Sequence, residues 1–308
     1  MKKCKIKLSK RIRQNFPFYI MIAPGLCYLI INNYLPLPGL QIAFKKMNYA
    51  KGIWDSPWVG IKNFTFLFRS PDSWIIIRNT ILYNIVFIFL GTAFSVFIAI
   101  LLNECSRKWQ KRYQTLILIP HLLSYVVVSY IAYAFLGAEN GMINNQILRP
   151  LGLDPISFYT EDKYWPFILV FVNIWKTFGY SSIIYFASII GIDRTYYEAA
   201  EVDGASAWTQ IWSITLPLLK PVLITMLLLS VGRILYSDFG LFYQVPMDSG
   251  MLFNTTNTID TFVYRGLLQT NDLGRAAAAN FIQSVMGFFL VLGANLIVRK
   301  VEKEYALF

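Results

Sequence analysis

Lys176 stands near the middle of an apolar run, 165–190, in the context NIWKTFGYSS. A charge at the centre of a hydrocarbon layer costs at least ~2.5 kcal/mol unless it faces water or a partner. Lys176 therefore reads either as a donor or gate in a central cavity, or as a packing lysine paired with a carboxylate of a neighbouring subunit. Arg233 and Asp238, near one end of the run 216–237, could pair with each other or meet a solute at a cavity mouth. The plainer reading of Arg233 is a snorkelling guanidinium, and Lys220 at the other end of that run reads the same way. Catalytic chemistry finds no such support. No GxxxxGKS/T loop is present and the dipeptide Gly-Lys never occurs, so ATP binding and hydrolysis are not expected of this chain. GxSxG and HExxH are absent, His121 is a single histidine, and Cys4, Cys27 and Cys105 lack CxxC spacing. No catalytic residue, no metal ligand and no disulfide framework is expected.

A second polar interval is EAAEVDGASAWTQIWSITLP, 198–217, lying between two apolar runs. Such an interval must be a loop or short helix at a membrane surface. Asp193 or Thr195 can cap its start, because Thr195 and Glu198 have the spacing of a capping box. Gly204 would stop or bend the helix, since glycine enters the left-handed conformation without steric cost. Ala199 and Ala200 beside Glu198 leave a low-relief surface that suits a helix seated in a partner's groove. Pro217 falls where the next helix is expected to begin, a position that tolerates its missing N–H.

These segments need a membrane scaffold. Of the 308 residues 56% are hydrophobic and 15% charged, too apolar for a soluble fold of this size. The net charge of +11 belongs to residues outside the apolar runs, which points to a membrane surface and not to nucleic acid. Apolar runs at about 17–40, 79–103, 114–137, 165–190, 216–237 and 276–298 predict an all-α integral membrane protein with six transmembrane helices. Open sheet edges are untenable in lipid, and barrel-type alternation is absent. Pro24 and Gly25 predict a kink in the first helix, Pro36 and Pro38 its early stop, and the tryptophan-bearing interval 41–78 a short interfacial helix.

Residues 1–13 carry seven Lys or Arg and no acid, and further basic groups lie at Arg107, Lys108, Lys111, Arg112, Arg299, Lys300 and Lys303. If the helices alternate, all fall on one side, which the positive-inside rule makes cytoplasmic. Both termini, the basic segment 1–16 and the interval 193–217 then face the cytoplasm. The transmembrane domain is expected over 17–308.

In order, Glu198, Ala199, Ala200, Gly204, Ile214, Leu216 and Pro217 resemble the EAA signature (EAA, three residues, G, nine residues, I, one residue, LP) of permease subunits of binding-protein-dependent ABC importers. The similarity extends to the stretch near 63–80 that ends in LFRSPDSWIIIRNT, LIPHLLS near 117–124, YEAAEVDGAS at 197–206 and RILYSDFGLFYQVP at 233–246, and within this family the chain is similar to the complex-oligosaccharide permease subgroup. Arg194 departs from the proline usual after the aspartate in that subgroup, which implies a softer helix start.

The resemblance implies a type I importer fold in the bacterial plasma membrane. It also implies a second permease subunit in a heterodimer, two ATPase subunits that hold ATP and Mg2+, and an extracytoplasmic sugar-binding protein. Coupling to the ATPase would fall to Glu198, Ala199, Ala200, Asp203, Gly204, Ile214, Leu216 and Pro217. Sugar recognition combines flat aromatic faces with amides and hydroxyls. The resemblance thus draws attention to Tyr83, Asn84, Asn173, Trp175, Tyr180, Asn280 and Gln283, beside Lys176, Arg233 and Asp238, as a substrate pathway. Lipid-facing packing and interhelical hydrogen bonds are the plainer readings of the uncharged ones. Rival functions are an ABC permease for another small solute or an ion-coupled secondary transporter, though no carboxylate lies centrally in any run.

Overall fold

The computed structural model describes residues 8–65 and 71–306. Part of the basic N-terminal segment and residues 66–70, which include the start of the LFRSPDSW stretch, lie outside the described residues. The described elements are helical; the sole strand-like feature among them is an isolated bridge between Lys45 and Trp58.

Among the described residues five helical stretches are long and apolar enough to cross a membrane: Asn15–Phe44, Asp72–Glu104, Asp162–Ile190, Ala207–Val231 and Leu273–Lys300. The sixth, expected as one helix over 114–137, is broken. Helices α3 (Arg107–Leu122) and α4 (Tyr125–Leu136) meet at 91°. Pro120 in the last turn of α3 cannot donate to the ladder and crowds the carbonyl four residues back. Leu123 is then extended, and Ser124 starts α4 afresh by accepting from the Val127 N–H.

The remaining boundaries shift for local reasons. Helix α1 (Leu8–Leu29) carries Pro17 and Pro24, and beyond it the chain tightens from a π turn at Ile30–Tyr34 to 3-10 geometry at Leu37–Phe44, around Pro36. Among its described residues the interval 41–78, expected to hold one interfacial helix, shows single turns at Gly52–Asp55 and Gly60–Phe64, with part of the expected helix outside the described residues; α2 (Pro71–Glu104) starts eight residues earlier than its apolar run. Lys45 is buried there: its Nζ donates to the Ile53 and Trp54 carbonyls and sits 4.9 Å from the Trp58 ring centre. Helix α5 (Trp165–Ile190) has the bounds of its apolar run.

Helix α6 (Arg194–Val202) precedes α7 (Leu216–Val231), which stops short of the expected end at 237. Residues 232–238 are not regularly helical, and a π turn follows at Gly240–Gln244. Helix α8 (Ile259–Arg265) leads to α9 (Leu273–Val301).

Within lipid, helices associate by close packing and polar contacts more than by hydrophobic expulsion. Glycines therefore mark the closest approaches. A Cβ on Gly179 of α5 would stand 1.8 Å from the Ile117 carbonyl oxygen of α3, and one on Gly287 of α9 would stand 2.6 Å from the Gly232 oxygen. Helices α2, α5 and α7 share a core of Val96, Ala99, Leu102, Tyr185, Phe186, Ile189 and Leu219. Where α5 begins, the segments 138–164 and 240–272 form a cap. Trp165 donates to the Phe158 carbonyl at 2.7 Å, and Arg265 pairs with Asp248 at 2.6 Å.

Candidate functional site

A cavity of about 640 Å3 lies between α2, α5, α7 and the unwound 232–238 segment. Helix α2 turns Asn84, Ile88, Gly91 and Thr92 toward it, and α5 turns Asn173, Thr177, Ser181 and Ile184. Spacings of three and four residues place each set on one helical face. Ser230, Arg233, Tyr236, Ser237 and Asp238 complete the wall.

Irregular backbone at membrane depth is tolerated only where it is buried in protein or lines a cavity, and where its polar groups find partners. Residues 232–238 meet both conditions. The Leu235 carbonyl accepts from Gln283 Nε2 at 2.7 Å, and the Tyr236 carbonyl from Asn84 Nδ2 at 3.0 Å. The Ser237 N–H donates to Asp260 Oδ2 at 2.6 Å. Asp238 accepts from Tyr125 Oη at 2.7 Å and from the Leu241 N–H at 3.3 Å.

Of the residues singled out in the sequence, Asn84, Asn173, Arg233 and Asp238 come together in this cavity. Arg233 and Asp238 do not pair with each other. The others stand elsewhere. Tyr83 is buried against Phe242, ring centres 4.9 Å apart, and its hydroxyl has no partner among the described residues. Trp175 is half-buried against the same core. Tyr180 is exposed and stacks on His121, ring centres 4.8 Å apart. Asn280 is exposed away from the cavity, and Gln283 is wholly buried as the support of the unwound segment.

Lys176 is not among the residues that line the cavity. Its ammonium donates to the carbonyls of Pro120, His121 and Leu123, and it lies 4.7 Å from the centre of the Tyr125 ring. It closes the carbonyl end of α3 that the break leaves open. Thr177 and Ser181 escaped attention, although they follow Asn173 at the four-residue spacing that defines its face. Tyr236 and Ser237 carried no signal until the unwinding was known.

At the other end of α5, α6 begins at Asp193, whose Oδ1 accepts from the Thr195 N–H at 3.0 Å. That bond holds the exposed Asp193 carboxyl below the usual aspartate range. The start of α6 is capped by Asp193 and not by a Thr195–Glu198 box. Gly204, at φ 76°, ends the helix: the Ala205 N–H donates to the Ala200 carbonyl and the Gly204 N–H to the Glu201 carbonyl. This is a Schellman closure, which needs the left-handed residue at that point.

Ser206 then caps a new helical run that passes through a π turn at Ile211–Thr215 into α7. Pro217 is the second residue of α7, in the first turn, where its missing N–H is tolerated. Ile214, Leu216 and Pro217 belong to the foot of that helix, and Glu198, Ala199, Asp203 and Gly204 are exposed around α6. Tyr197 Oη and Thr215 Oγ1, 2.9 Å apart, tie the two parts together. Tyr196, Val202, Trp208 and Trp212 present exposed apolar surface beside them.

Several membrane helices, a polar cavity where one of them unwinds and an exposed amphipathic helix at one end define a membrane translocation subunit. Residues 76–303 match the binding-protein-dependent transport system inner membrane component, and the chain belongs to that family. It is 33% identical over 287 residues to protein LplB of Bacillus subtilis (strain 168), covering 93% of this chain and 89% of that one. To the polygalacturonan/rhamnogalacturonan transport system permease protein YteP of the same organism it is 33% identical over 303 residues, covering 96% and 92%. A chain in the crystal structure of a bacterial ABC transporter involved in the import of the acidic polysaccharide alginate superposes with a TM-score of 0.86, at 32% identity, over 96% of this chain and 100% of its own length. The protein is accordingly a multi-pass, non-catalytic membrane subunit of an ABC importer.

Proposed function

We propose that this chain forms, with a second permease subunit, the pathway of an ATP-driven oligosaccharide importer. The cavity carries this reading: its walls combine amides, hydroxyls and two opposite charges, the groups that replace the hydration of a polyhydroxylated solute. The names of YteP and of the alginate importer support the substrate class. A further crystal structure of the alginate transporter, bound to a periplasmic protein carrying an alginate pentasaccharide, supports delivery by a binding protein. Asn84, Asn173, Arg233 and Asp238 would contact the solute.

The termini and α6 would face the cytoplasm, where two ATPase subunits hold ATP and Mg2+. Glu198, Ala199, Ala200, Asp203 and Gly204 would form the helix seated in an ATPase groove, and Ile214, Leu216 and Pro217 the foot that transmits its displacement to α7. Closure of the ATPases would then switch access to the cavity. The test is uptake by the reconstituted complex. Glu198→Lys should abolish ATP-dependent oligosaccharide uptake or release the ATPase subunits, whereas wild-type uptake in that variant would refute the coupling assignment.

A further inference from the structure

Arg233 is the one cation on the cavity wall, and its guanidinium has no hydrogen-bond, ion-pair or ring partner among the described residues. Two other arginines near the same end of the fold, Arg78 and Arg265, are engaged. Arg78 donates to Asn79 Oδ1 and to the Asn254 carbonyl, and Arg265 to Asp248 and Asn257. Closing the end of α7 does not occupy Arg233 either, because the Leu228, Ser230 and Val231 carbonyls accept from the N–H groups of Gly232, Arg233 and Ile234. The anion on the same wall is already answered. Asp238 takes the Tyr125 hydroxyl and the Leu241 N–H, and the Tyr125 ring lies under the Lys176 ammonium. The wall therefore presents one satisfied carboxylate and one cation with five free N–H donors.

We infer that Arg233 reads a carboxylate on the transported solute, so that the cavity is built for uronate-bearing oligosaccharides. This rests on the oligosaccharide reading and narrows it. A guanidinium fork matches a planar, singly charged carboxylate in bidentate fashion. A phosphoryl group, with more charge, would call for a second cation, and none among the described residues lines the cavity. The amides of Asn84 and Asn173 and the hydroxyls of Thr177 and Ser181 would take the sugar hydroxyls beside it.

The test uses the complete importer in proteoliposomes with its binding protein. The probes are the uronate tetrasaccharide, among galacturonate, glucuronate, mannuronate and guluronate, that this binding protein holds most tightly, and the same compound after carboxyl reduction. Arg233→Gln should lower uptake of the uronate at least tenfold while uptake of the reduced compound falls less than threefold, and Arg233→Lys should recover part of the loss. Native mass spectrometry of each variant monitors assembly. Equal losses on both probes, no loss on the uronate, or release of the second permease would overturn the inference; the last would mark Arg233 as a subunit contact. A wild-type importer that moves neutral oligosaccharides but no uronate overturns the inference and leaves the oligosaccharide reading standing. One that moves no saccharide removes both.

Discussion

The membrane helices come apart at 123–124 and again at 232–238, and the two breaks are finished in opposite ways. At the first, a buried ammonium takes three backbone carbonyls and is used up by them. At the second, neutral amides and Asp260 satisfy the backbone, so Arg233 and Asp238 remain on the cavity wall. A charge inside an apolar run is thus not by itself a pathway residue. What decides is whether the backbone around it has already claimed its hydrogen bonds.

Lys176→Met should show the largest effect. It strips charge-assisted donors from the end of α3 and leaves carbonyls buried without partners, a cost of roughly 3–5 kcal/mol. We expect a fall in Tm of the purified subunit of roughly 10 °C. A near-wild-type Tm would mean that water or a partner serves those carbonyls. At the second break, Gln283→Leu removes the donor to the Leu235 carbonyl at a cost of about 1–2 kcal/mol. Uptake should suffer more than stability, because the segment it releases is the cavity wall. Tyr125→Phe joins the two regions: it keeps the ring beneath Lys176 and loses only the bond to Asp238, worth about 1 kcal/mol. It should change the apparent KM for the solute with little change in Tm, whereas a Tm loss as large as that of Lys176→Met would mean that the two breaks are one unit.

The smallest effect concerns the start of α6. The Asp193 carboxyl titrates lower folded than unfolded, so its stabilisation is complete above the ordinary aspartate pKa and is lost as pH falls through the depressed value. Hydrogen exchange at the amides of 194–197 should therefore accelerate, relative to the rest of the helix, only below about pH 4. Asp193→Asn should remove that pH dependence and still cap the helix.

Much of this was legible in the sequence because the signals were local. The bounds of α5, the closure at Gly204 and the ordered residues from Glu198 to Pro217 depend on near neighbours. The fate of Lys176 was hidden because its acceptors are backbone carbonyls more than fifty residues away, which carry no side-chain signature. Pro120 and Ser124, the elements of the break, were in plain view, but a continuous apolar run outweighed them. The early end of α7 was obscured in the same way, since Gly232 and Arg233 also fit an apolar helix reaching its interface. Asn84 and Asn173 came from types that bind sugars. Gln283 belongs to the same type and instead supports the wall, a distinction that only packing makes.

Whether solute occupies the cavity at the second break and bypasses the first can be measured by single cysteines. In an importer whose Cys4, Cys27 and Cys105 are replaced by serine, Thr177→Cys on the cavity wall and Tyr180→Cys on the His121 side of the same helix are treated with a hydrophilic thiol reagent, with and without saturating oligosaccharide and binding protein. Solute should slow modification at position 177 severalfold and leave position 180 unchanged. Equal protection at both positions, or protection at 180 alone, would place the pathway elsewhere and contradict the cavity described above.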